Sequence, residues 1–159
     1  MSAERLIASH LRLASEALAA ARTLLDIGNR NAAYQAEQAV EQIILALAQA
    51  ETLAFTRAQQ HQLDTMRRAL PGENPFRERL AKLTWLEAHA TTYRYPRTAG
   101  GISEPPPKPK LASALDQCSE ILDDLAQHFA IDLHIDAREP AAHAKPPRTD
   151  PRNQFEEQA

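Results

Sequence analysis

The sequence predicts an all-α fold, an up-and-down bundle of about five helices, and three observations predict it. Alanine and leucine dominate while aromatic residues reach only 5%. This balance suits helices, because β-branched and aromatic side chains are the ones that favour a pleated surface. Glycine occurs only as Gly28, Gly72, Gly100 and Gly101, and no proline precedes Pro71. The helix breakers are thus kept out of the long periodic segments. Those segments repeat their apolar residues at alternating spacings of three and four, which is the period of one helical stripe. The 159 residues suffice for one domain with a single core.

The first helix is predicted over residues 2–27. Ile7, Leu11, Ala14, Leu18, Ala21 and Leu25 line one stripe, which Leu6, Leu13, Ala17 and Leu24 widen. Gly28 follows as a residue suited to a left-handed C-terminal cap. A second helix over 31–51 carries Ala33, Ala36, Val40, Ile43 and Leu47. The short loop before it makes an antiparallel hairpin of the two.

A third helix over 58–70 shows Leu63, Met66 and Leu70 and stops at Pro71-Gly72. Asn74-Pro75 reads as an N-cap followed by proline at the first helical position. The fourth helix that it opens carries Phe76, Leu80, Leu83 and Trp85 or Leu86, and finishes near Tyr93. Residues 96–110 hold five prolines and two glycines and read as an irregular loop. The fifth helix, over 110–131, repeats Leu111, Leu115, Cys118, Leu122, Leu125 and Phe129.

The domain is thus expected to span 1–131. Residues 132–159 are proline-rich and charged, with too little apolar surface to offset their ordering entropy, and read as a disordered tail. The two narrow seams can also pack against a second copy, so a homodimer is the expected assembly.

Composition excludes several classes. With one cysteine, Cys118, there is no intramolecular disulfide and no cysteine cluster for metal. No glycine-rich phosphate loop, Ser-His-Asp pattern or zinc spacing is visible, so no metal or cofactor is expected. No apolar stretch approaches 18 residues and the start lacks a signal-peptide core, which makes the cytoplasm the expected location and a membrane partner unexpected. Net charge is −3, yet residues 57–97 carry eight Lys/Arg against four acids. This asymmetry suits either a phosphate-binding face or an ordinary solvated one.

Three stretches then stand out in order. Tyr34-Gln35-Ala36-Glu37-Gln38-Ala39-Val40-Glu41 lies on the second helix, His61-Gln62-Leu63 on the third, and Arg94-Tyr95-Pro96 after the fourth. Together they resemble the HEPN family (higher eukaryotes and prokaryotes nucleotide-binding), in its Arg-Tyr-Pro branch, over about residues 4–131. The resemblance implies a helical bundle, usually dimeric, and pairing with a minimal nucleotidyltransferase, often as a toxin–antitoxin couple. It also implies RNA or nucleotide chemistry. Many relatives are RNases with an Arg-x(4–6)-His motif, in which histidine acts on the ribose 2′-hydroxyl and arginine supports the phosphate charge.

That motif is missing where the resemblance requires it. His89 is the histidine late in the fourth helix, and the positions five to seven before it are Thr84, Leu83 and Lys82. Lys82 has the charge but not the planar guanidinium fork. Formal matches elsewhere, Arg5 with His10 and Arg138 with His143, are of a kind that chance supplies. The expected function is a HEPN-type binding module without standard RNase chemistry. Its rivals are a divergent metal-independent RNase toxin using Lys82 with His89, and a purely structural interaction domain.

The candidate nucleotide- or RNA-binding residues are Tyr93, Arg94, Tyr95, Arg97 and His61. Tyrosine rings and guanidinium groups side by side can stack a base and hold a phosphate. Alternatively, Tyr95 packs into the bundle end and Arg94 pairs with a helix-two carboxylate such as Glu41. His61, at a helix start, can hold a neighbouring group or meet a phosphate. Tyr34, Gln38 and Glu41 share one face of the second helix, and a structural polar role at the bundle or dimer seam is expected for them.

Overall fold

A computed structural model describes residues 2–134, in which helices and turns appear and no strand does. The Ser2 hydroxyl accepts from the Arg5 N–H and opens α1 (Ala3–Asp26). There follow α2 (Asn31–Ala50), α3 (Leu63–Ala69), α4 (Phe76–Ala81), α5 (Glu87–Ala90) and α6 (Lys108–His128). Two short 3₁₀ turns, Thr84–Leu86 and Thr92–Arg94, flank α5.

The three long helices end alike. At Gly28, Thr52 and Ala130 the chain turns left-handed, with φ of 69°, 57° and 51°. In each case the next N–H reaches back to close the last turn: Asn29 to Leu24, Leu53 to Ala48, and Ile131 to Ala126, all at 2.8 Å. This Schellman arrangement satisfies carbonyls that a helix end leaves without partners. Only the first uses glycine, the residue for which the left-handed region costs least.

The central helix is α2, which packs against α1, α3, α5 and α6. Its alanines 32, 33, 36, 39 and 46 are buried, and small side chains let neighbouring backbones approach. The predicted stripes face inward. Ile7, Leu11, Ala14, Leu18 and Ala21 of α1 are buried, as are Leu111, Leu115, Cys118, Leu122 and Leu125 of α6. Each such leucine contributes about 2 kcal/mol relative to exposure. Burial also pushes the Cys118 thiol up to about 12, which makes it a core residue rather than a nucleophile. α1 runs opposite to α6, fastened by Arg22 to Asp116 at 3.1 Å and by Arg12 to the Asp132 carbonyl at 3.1 Å.

Two predicted helices are corrected. The third begins at Leu63 rather than at residue 58, because His61 adopts a φ of 67° that a right-handed helix cannot contain. The fourth is a broken run rather than one helix to Tyr93. The backbone leaves α-helical values at Leu83, with φ of −110° and ψ of −6°, and at Thr91, with φ of −117° and ψ of −92°. The run still climbs beside α2, from Asn74 near Glu51 at the C-terminal end to Arg94 over Tyr34 near the N-terminal end. The predicted tail and the Arg138–His143 pair lie, from residue 135 on, outside the described residues.

Candidate functional site

A cleft of about 400 Å³ opens between the α5 region, the 97–107 segment and the start of α6. Trp85, His89 and Tyr93 supply its aromatic wall. The Trp85 and His89 rings meet edge-on with centroids 5.8 Å apart, and His89 and Tyr93 do so at 5.1 Å. Spacing of four along a helical run is what stacks these rings on one side. Lys110, from the first turn of α6, reaches across so that its ammonium stands 4.2 Å from the Trp85 ring centroid. Arg97 lines the same space, and Glu104 is its carboxylate.

The far wall is held in place by Arg30. Its guanidinium donates to the carbonyl of buried Ser103 at 2.7 Å, which ties the proline-rich segment to the start of α2. Burial, then the Lys110 charge, then that of Arg30 hold the His89 imidazole below its ordinary value. The cleft therefore presents a neutral imidazole between two aromatic rings, rimmed by cations. Flat π-faces with nearby positive charge suit a planar base carrying phosphate.

The candidate residues do not all meet here. Tyr93 and Arg97 line the cleft with His89, whereas Arg94 turns the other way and sits over Tyr34, 4.5 Å from its ring centroid. The alternative pairing of Arg94 with Glu41 is not formed; Glu41 faces His61 instead. Nor does Tyr95 pack into the bundle end: it is 64% exposed, because the residue before Pro96 is extended and projects outward. Lys82 lines a separate recess with Arg79, Gln117 and Glu120, away from the His89 cleft. His10 is engaged with Gln42 at 2.7 Å.

Much of the basic 57–97 segment is paired internally. Asp64 binds both Arg67 and Arg68 at 2.7 Å, and Asp124 binds Arg79 at 2.7 Å. Among the described residues, Arg97 and Lys110 have no ion-pair partner.

A second polar cluster joins α2 to the turn before α3. His61 Nδ1 lies 2.6 Å from Glu41 Oε2 and 3.3 Å from Glu37 Oε1. The Gln38 amide donates to Glu37 Oε2 at 2.7 Å. Burial pushes the Glu37 carboxyl up to about 7, with the Gln38 and His61 contacts opposing it. Burial also raises Glu41, again with His61 opposing. Sequence reasoning picked Gln38, Glu41 and His61 but passed over Glu37, which is fully buried. The available signal was its spacing of four from Glu41, which puts both carboxylates on one helix face. It likewise missed Arg30 and Lys110, whose roles depend on loop placement.

Among the described residues, no helix is long and apolar enough to cross a membrane. Comparison with curated proteins and with solved structures returns no match. A family profile for the HEPN domain matches residues 7–128, most of the chain, with all of α2 and α6 and all of α1 but its first four residues. This match, with the all-helical bundle and the three ordered motifs, places the chain in the HEPN domain family.

Proposed function

We propose that this HEPN domain is a binding module for a nucleotide or a short single-stranded RNA segment, held in the Trp85–His89–Tyr93 cleft. The observation that carries this reading is the convergence of three aromatic rings with Arg97 and Lys110 around one opening of about 400 Å³. A base would stack on the rings while the cations meet its phosphate, each stacking contact contributing about 1–3 kcal/mol. The reading extends to a cytoplasmic homodimer that partners a minimal nucleotidyltransferase in a toxin–antitoxin-like couple, as the family resemblance implies.

RNase chemistry is not part of this reading. No arginine stands five to seven positions before His89, and Lys82 faces another recess. The rival RNase reading draws on the neutral His89 imidazole, which could accept a proton from a ribose hydroxyl.

Trp85 is the only tryptophan in the chain and stands in the cleft wall, so its fluorescence reports occupancy directly. Titration with ATP and with a short single-stranded RNA is expected to change that signal saturably. Charge reversal at Arg97 or Lys110 is expected to weaken binding at least about tenfold and to flatten its salt dependence. A flat titration, or affinity unmoved by both reversals, sinks the proposal. Metal-independent RNA cleavage that vanishes in His89→Ala would establish the rival. Co-purification from the host, read by mass spectrometry, tests the partner, and analytical ultracentrifugation tests the dimer.

A further inference from the structure

We propose that Glu37, Glu41 and His61 form a binding site for one divalent first-row transition ion of the Zn²⁺ or Mn²⁺ type. Each residue offers one ligand atom, and the three atoms lie within 4.8 Å of one another. One ion with bonds of about 2.0–2.2 Å joins donors up to about 4.4 Å apart, so small side-chain adjustments bring all three onto it. The donors come from two elements: Glu37 and Glu41 are one helical turn apart on α2, and His61 closes over them from the turn before α3.

The second observation concerns what the buried carboxylate lacks. Glu41 is only 5% exposed, and its Oε2 has no hydrogen-bond partner among the described residues. Its nearest polar neighbour is His61 Nδ1, an ion-pair contact at 2.6 Å, and the same nitrogen hydrogen-bonds Glu37 Oε1 at 3.3 Å. A divalent ion entering there takes the place of the imidazole proton that the two carboxylates face, as metal binding at a histidine releases its proton. An orphaned buried oxygen otherwise costs about 1–3 kcal/mol.

The donor chemistry selects the ion. The charge of two carboxylates is one that a divalent cation cancels, which offsets the desolvation of burying them. Imidazole favours Zn²⁺ and its first-row neighbours over Mg²⁺ or Ca²⁺, while carboxylates admit Mn²⁺. Gln38 holds the other oxygen of Glu37 at 2.7 Å and so orients that ligand from outside the set, as supporting hydrogen bonds commonly do. His61 has a 40% exposed side chain and forms the solvent-facing side, which gives an ion a way in. Three protein ligands leave positions open to water or to a further ligand. Such a site runs against the sequence-based expectation of no metal, which rested on the absence of a zinc spacing and of a cysteine cluster.

The test uses the full chain, stripped with EDTA and titrated by calorimetry with ZnCl₂ and separately with MnCl₂, with thermal unfolding followed in parallel. The expected result is saturable binding of one ion per chain and a raised melting temperature for at least one metal. Glu37→Gln and Glu41→Gln keep the size and polarity of the side chains. They are expected to stay helical by circular dichroism while losing about tenfold or more in affinity. His10→Gln, a histidine outside the cluster, is expected to leave binding unchanged. Absence of saturable binding tighter than about 100 µM for either ion overturns the proposal. So does binding that survives Glu37→Gln, Glu41→Gln and His61→Gln alike. Should a glutamine variant fail to fold, wild-type protein that neither binds nor is stabilised by either metal still refutes the site.

Discussion

The Arg94 guanidinium stands over the Tyr34 ring, 4.5 Å from its centroid, and joins the end of the broken fourth segment to the first turn of α2. Two of the three family motifs thereby touch. A cation over a partly exposed ring contributes about 0.5–1 kcal/mol. Arg94→Ala and Tyr34→Leu are each expected to lower stability by about that amount. The double variant should lose less than the sum, as urea denaturation would show. Arg94→Lys is expected to retain only part of the effect, since lysine cannot lay a planar group on the ring.

Arg30 holds the cleft wall through one hydrogen bond, to the Ser103 carbonyl at 2.7 Å. A charged donor on a partly buried carbonyl contributes about 1.5 kcal/mol. Arg30→Ala is expected to release residues 97–107, which hydrogen exchange would register as faster amide exchange confined to that segment. The core helices should exchange as before. Ligand affinity read from Trp85 fluorescence should fall in the same variant.

His89 gives the domain a pH-dependent component. Its imidazole is held below the ordinary histidine value by burial, then by Lys110 and Arg30. The unfolded chain therefore takes up this proton more readily than the native one. Stability linked to neutral His89 is present above the ordinary value and declines as pH falls through it. Between about pH 7 and pH 5, His89→Gln is expected to lose less melting temperature than the wild type. Equal slopes for the two proteins would contradict the assignment.

Thr52 ends α2 in the left-handed region, with φ of 57°, where a β-branched residue is strained. Thr52→Gly is expected to stabilise the domain by about 0.5–1 kcal/mol, the relief of strain exceeding the added entropy of the unfolded chain. Gly28→Ala, at φ of 69°, is expected to destabilise it by about 1 kcal/mol. Nothing stands within 4 Å of a Cβ there, so the cost is one of backbone conformation alone. Thermal unfolding of the two variants beside the wild type checks both signs.

The long helices were legible because their information is local. A stripe such as Ile7, Leu11, Ala14, Leu18 and Ala21 can face one way only if the chain is helical, and the burial of those residues follows. The same local logic placed the stop at Gly28 and the asparagine ahead of α4, whose Oδ1 accepts from the Phe76 N–H at 3.0 Å. It failed over residues 82–94. There the apolar spacing is helical, but the backbone leaves the α-helical region at Leu83 and Thr91. Packing against α2 keeps the short pieces in line, which periodicity alone reads as one helix.

The sites were only half legible for a related reason. Tyr34, Gln38, Glu41, His61 and the Tyr93–Arg97 run are conspicuous as residue types, and the order of the motifs by itself identified the HEPN family. By itself, then, the sequence determined an all-helical bundle, its buried stripes and its family. These depend on interactions between residues three or four positions apart. Tertiary structure alone decided that Arg94 faces Tyr34 while Arg97 faces the cleft, that Lys110 reaches Trp85 across 25 positions, and that buried Glu37 meets partly exposed His61. Those outcomes turn on where a strained turn and a proline-rich segment deliver side chains onto α2 and α6. The energy of such a contact resides in partners far apart along the chain, which no local pattern records.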